Sequence, residues 1–163
     1  MAEADWYDLI EAKLAEQLST VAVNFYLETA AAKGFSETVK AAIPSGREIV
    51  FSFLRRRPDI IGYVSRDFAK DLITVEVKEK SLDIEDIYQA KLYKEVFGAR
   101  YGFLITTGPI PEALKRLCKQ TYAIQHSAND STYSFLAIAH FHRAGGFVEW
   151  FEENPFSKDF YWK

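Results

Sequence analysis

Apolar residues at Trp6, Leu9, Ile10, Leu14 and Leu18 recur at helical spacing, with polar residues between them. The pattern predicts an amphipathic helix from Asp5 to about Leu18, with Asp5 as its N-cap. The next stretch, VAVNFYLET, carries two periods at once. Val21, Val23, Phe25 and Leu27 alternate as in a strand, while Val21, Phe25 and Glu28 also fit one helix face. We read it as helix continuing to Lys33, with Gly34 as its stop. SETVKAAI fits a short helix capped by Ser36, and PSG at 44–46 a turn.

The period then changes. EIVFSFL (48–54), DIIGYVS (59–65) and DLITVEVKEK (71–80) are rich in β-branched and aromatic residues, with short polar links between them. RDFAK at 66–70 reads as a hairpin turn, which makes the second and third of these strands antiparallel neighbours. Asp83, with Asp86 as its partner at the third helical position, predicts a helix running to Gly98. YGFLITT (101–107) reads as a buried strand, Pro111 to about Gln125 as a helix, and YSFLAIAHF (133–141) as a further strand. The aromatic tail FVEWFEENPFSKDFYWK is expected to pack back on the body. The order predicts one α/β domain over residues 1–163, a mixed central sheet flanked by helices.

Composition narrows the classes. The chain is 48% hydrophobic and 15% aromatic, which supports a packed core and argues against disorder. No apolar run approaches the ~20 residues that span a bilayer, so no membrane partner is expected. The acidic start, MAEADWYDLIEAK, does not read as a signal peptide. Cys118 is the single cysteine, in keeping with a reducing cytoplasm. A net charge of −3 counts against a general nucleic-acid coat and leaves a local basic patch open. His126, His140, His142 and Cys118 make a closed four-ligand zinc site hard to assemble. Cys118 has no evident histidine partner, and TTGPIPE lacks phosphate-loop spacing.

The candidate chemistry lies on the second and third strands. In DLITVEVKEK, Thr74, Glu76 and Lys78 share one face and Ile73, Val75 and Val77 the other. An antiparallel hairpin sets Asp59 across from the Glu76–Lys78 end. Two neighbouring carboxylates repel unless a cation lies between them. A hard divalent ion on oxygen ligands would serve, and a lysine beside it could act on its water. The competing reading is a solvated strand face, with Asp59 a turn residue after Pro58.

Pro58-Asp59, a hairpin-length gap and then Glu76-Val77-Lys78 resemble the PD-(D/E)XK signature of the restriction-endonuclease-like nucleases. In the following helix, DIYQAKLYKEVFG, Gln89 and Tyr93 resemble the glutamine-x-x-x-tyrosine pattern of the branch that includes RecB-like nucleases and archaeal Holliday-junction resolvases. The resemblance runs from about Glu11 to Leu117 and implies a restriction-endonuclease-like mixed sheet. It further implies a DNA phosphodiesterase using Mg2+ or Mn2+ on Asp59, Glu76 and the Val77 carbonyl. Lys78 would activate water and balance phosphate charge, Gln89 would lie beside the site and orient it, and Tyr93 would contact the substrate.

The family often adds a first-helix acid. Glu11 lies at the margin of the apolar stripe and can approach the sheet, whereas Glu16 falls on the far side; Glu28 is the alternative if the helix continues. Arg55, Arg56 and Arg57 are either a wet strand end or contacts to backbone phosphates, and Lys91 and Lys94 are weaker candidates of the same kind. A nuclease-like fold that only binds or assembles is the other functional reading. The small size predicts a homodimer or a subunit of a larger complex, with the aromatic tail as contact surface or as closure of its own core.

Overall fold

The computed structural model describes residues 3–47, 56–127 and 133–162. Its centre is a six-stranded mixed sheet in sequence order: β1 (Asn24–Thr29), β2 (Ile60–Arg66), β3 (Ala69–Lys78), β4 (Tyr101–Thr106), β5 (Phe135–His142) and β6 (Gly146–Trp150). The first three strands and the last pair run antiparallel, while β3, β4 and β5 are parallel. Parallel neighbours need a crossover, and helices supply both. They are α3 (Ile84–Phe97) between β3 and β4, and α4 (Glu112–Gln120) between β4 and β5.

Helix α1 (Glu3–Leu18) buries Ile10, Leu14 and Leu18 against one face of the sheet, where Ile60, Ile73, Val75 and Val77 meet them. The other face is covered by α2 (Glu37–Ala42) and α3 over Ile61 and Leu72, and by α3 and α4 over Leu104, Leu136 and Ile138. Both faces of β3 are therefore core, and residues 72–77 are all buried. That removes the solvated-face reading of Glu76.

The local signals explain most of the elements. Ser36 caps α2 by accepting from the Val39 N–H. Asp83 and Asp86 form a reciprocal capping box on α3, and Gly98 ends it in the left-handed region at φ 64°. Pro111 stands at the N-cap of α4, which ends at Gln120 and gives way to a 3-10 turn at Tyr122–Ile124. The expected helix from there to Gln125 is thus two pieces.

One expectation is corrected. The first helix stops at Leu18, where the Val21 and Ala22 N–H groups close on the Leu18 carbonyl, and VAVNFYLET yields the edge strand β1. Pairing with β2 satisfies the backbone groups on its inner edge, and the stretch is dense in β-branched and aromatic residues that lose freedom in a helix. The close fit of β1 on β2 needs Gly62: a Cβ there would lie 1.9 Å from the Tyr26 carbonyl oxygen. The strand expected at 48–54, and Arg55 with it, lies outside the described residues.

The aromatic tail turns inward. It contributes β6, and Phe156 and Trp162 are buried, their rings stacked at 5.2 Å. Of the two roles open to the tail, these rings take closure of the chain's own core. Among the described residues no helix is long and apolar enough to cross a membrane.

Candidate functional site

Proline cannot donate to a strand ladder, so β2 begins only after Pro58, and Asp59 sits at the open end of the β2–β3 hairpin. The register that pairs Ile60 with Val75 sets Asp59 opposite Glu76. The Asp59 N–H donates to the Val75 carbonyl at 3.0 Å. Its Oδ2 accepts from the Val77 N–H at 2.7 Å, taking an amide that a longer β2 would have paired. Within a strand, the N–H and C=O of one residue point to the same edge, so the Val77 carbonyl also opens on this side.

Glu76 projects beneath α3 and is only 4% exposed. Its Oε1 accepts from Lys78 Nζ at 2.9 Å. Its Oε2 is buried with no hydrogen-bond partner among the described residues. Burial above all, and then the Asp59 charge, raise this carboxyl to about 7 against the pull of Lys78. A buried carboxylate with an idle oxygen is costly unless something else engages it.

Lys78 is held between strand and helix. Besides Glu76, its Nζ donates to Gln89 Oε1 at 3.0 Å. Gln89 Nε2 in turn reaches the Tyr93 hydroxyl at 3.4 Å; residues four apart share one face of α3. Tyr93 is buried, which raises its hydroxyl's pKa; Glu76 and Asp59 add to the rise and Arg56 opposes it. Arg56 thus stands within electrostatic reach of Tyr93, with its side chain exposed. Arg57 is exposed too but turns toward the 33–34 loop, where a Cβ on Gly34 would meet its Nη1 at 2.5 Å.

Asp86 belongs to the same group, although its sequence context marks it only as a capping residue. It is buried, its Oδ2 accepts from the Asp83 N–H at 2.9 Å and pairs with Lys80 at 3.0 Å, and its Oδ1 lies 4.0 Å from Lys78 Nζ. The readable signal was a capping acid following two lysines of the preceding strand end.

The two first-segment acids differ in their company. Glu11 reaches from α1 to Thr29, whose hydroxyl donates to Glu11 Oε2 at 2.7 Å, and Thr29 pairs with Ile60 beside Asp59. Glu28 has both oxygens engaged, by the Tyr26 hydroxyl at 2.9 Å and the Ser36 N–H at 2.8 Å. Both line a cleft of about 480 Å3 that Asp8, Lys33 and Phe35 help to form. Glu16 faces solvent, paired with Lys13.

One further candidate is corrected. Lys94 is 5% exposed with its stem over Gly102, so it is not presented to a phosphate, while Lys91 donates to the Ala123 carbonyl at 2.8 Å. Cys118 is buried, which pushes its thiol pKa up and away from nucleophilic use.

Among the described residues no three His, Cys, Asp or Glu side chains converge as a metal cluster. The strand end supplies two carboxylates and a carbonyl, and magnesium commonly takes one or two carboxylates with water completing its shell. The idle Glu76 oxygen suits such an ion, while the Lys78 ammonium competes with it for Glu76. No family model, curated protein or solved structure matches the chain.

Proposed function

We propose that this chain is a metal-dependent DNA phosphodiester hydrolase of the PD-(D/E)XK kind, built on a restriction-endonuclease-like core. The observation that carries the reading is Glu76: a buried carboxylate with one unpartnered oxygen, opposite Asp59 and beside a lysine. A mixed sheet between helices with the acids on a hairpin is the core that the resemblance implies.

Asp59 and Glu76, with the Val77 carbonyl, would hold Mg2+ or Mn2+. When bound, such an ion acidifies a coordinated water and offsets charge building on a phosphate. Lys78 faces the same space and would take up phosphate charge or steer the attacking water. Gln89 aims Lys78 through its Oε1, and Tyr93 beneath it holds Gln89. Arg56, exposed and within electrostatic reach of Tyr93, would contact the DNA backbone. Glu11 would close the acidic side through Thr29.

The second reading is a nuclease-like module that binds or assembles without cleaving. One observation favours it: the Lys78 ammonium already neutralises Glu76, so the pocket balances its charge without an ion. Calorimetric titration with MgCl2 and MnCl2, followed by nicking of supercoiled plasmid and cleavage of single-stranded and branched DNA, separates the two. Saturable metal binding with metal-dependent cleavage, both lost in Asp59→Asn, is the expected result. Metal binding without cleavage of any substrate would favour the silent module; no metal binding at all would end the hydrolase reading.

A further inference from the structure

We propose that the tip of the β2–β3 hairpin, with the groove beside it, is where two copies of this chain meet. Phe68 and Val23 are 104% and 96% exposed, as bare as side chains on an extended chain. Arg66 pairs with Ala69, closing a two-residue turn of Asp67 and Phe68. Neither turn residue has positive φ, so the backbone of the turn does not account for an aromatic side chain there. Next to the tip lies a groove of about 900 Å3, lined by Val21, Val23, Val64, Phe68 and Trp162 among others. Plug and groove thus belong to one patch, as an isologous two-fold contact requires.

The charges at the tip point to the same occupant. Asp67 is exposed and makes no ion pair among the described residues. Lys70 is exposed on the other side of Phe68, its ammonium 4.5 Å above the Tyr63 ring. Arg66 is already committed to Asp71 at 2.8 Å. One acid and one base flanking an apolar plug let each Asp67 face the partner's Lys70 across the two-fold. A nucleic acid would call for an excess of positive charge, which this tip lacks. Position argues the same way: at ~3.3 Å per residue the tip stands about 25 Å from Asp59, so a partner here leaves the acidic strand end open. The buried tail rings leave this tip as the more exposed apolar surface.

The test is sedimentation equilibrium over a wide protein concentration range, with thermal melts as a folding control. Wild type should reach the dimer mass. Phe68→Asp should stay monomeric with an unchanged melt, since the side chain has no packing to lose. Asp67→Lys should weaken the dimer by about tenfold through facing like charges, and the double swap Asp67→Lys with Lys70→Asp should restore it. A monomeric wild type at the highest concentration, or a dimer that survives Phe68→Asp, overturns the proposal. So does a double swap no tighter than the single one. Binding of labelled duplex DNA by a monomeric wild type, lost in Phe68→Asp, would overturn it in favour of a nucleic-acid contact.

Discussion

Replacing Glu76 with glutamine should stabilise the metal-free protein, and only at higher pH. The Glu76 carboxyl moves from an ordinary 4.5 to about 7 on folding, first through burial and then through Asp59. Between those values the folded state holds a proton that the unfolded chain has released. Stability therefore falls as pH rises through that window, and the loss is complete above about 7. A span of roughly two and a half pH units, at about 1.4 kcal/mol each, gives about 3–4 kcal/mol as an upper bound. Glutamine approximates the neutral acid: its amide oxygen can still accept from Lys78, and no charge is left to desolvate.

At pH 8 with a chelator present, Glu76→Gln should thus exceed wild type by about 2–3 kcal/mol, or about 5–10 °C in melting temperature for a chain of this size. At pH 5 the two curves should nearly coincide. Urea denaturation at pH 5, 6, 7 and 8 measures the gap directly, and the difference between the proteins cancels the acids they share. A variant no more stable than wild type at pH 8, or a gap that is the same at pH 5 and pH 8, would refute the buried-charge reasoning.

Other substitutions test neighbouring parts of the argument. Asp59→Asn should abolish the magnesium-induced rise in melting temperature without lowering the melt in chelator, because asparagine still accepts from Val77 and one of two repelling charges is gone. Lys78→Ala should keep or tighten metal affinity in calorimetry while cleavage is lost. In chelator at pH 8 it should cost about 1–2 kcal/mol, since Glu76, without its ammonium, takes up a proton rather than stay charged. Gly62→Ala should cost about 3 kcal/mol in urea denaturation, because its Cβ would strike backbone rather than a movable side chain.

Where a short motif sets its own geometry, the sequence was enough. Asp83, Asp86 and Gly98 marked both ends of α3, and Ser36 marked the start of α2, because each signal is a contact within a few residues. The segment after Leu18 was different. Its two periods are both present in Val21–Glu28, and the deciding term is pairing with β2, whose partners lie more than thirty residues away. Local pattern cannot weigh a ladder that distant. β6 escaped notice for a related reason. Gly146–Trp150 is short and aromatic, and its identity as a strand rests on the pairing with β5.

The candidate site was legible in outline because alternation fixes which side chains share a face. It does not say whether that face is wet. Thr74, Glu76 and Lys78 had to lie opposite the valines, and that alone is compatible with solvent. What makes the face dry is α3, laid over it by a capping box whose second acid, Asp86, also approaches Lys78. The same helix then delivers Gln89 to Lys78 and Tyr93 to Gln89. A charged strand face followed by a helix with polar residues four apart is thus a stronger pattern than either half alone. The helix that buries the charges must also carry the groups that satisfy them. Glu76 Oε2 is the atom this pairing leaves unsatisfied, and that is why the case for a bound ion rests there.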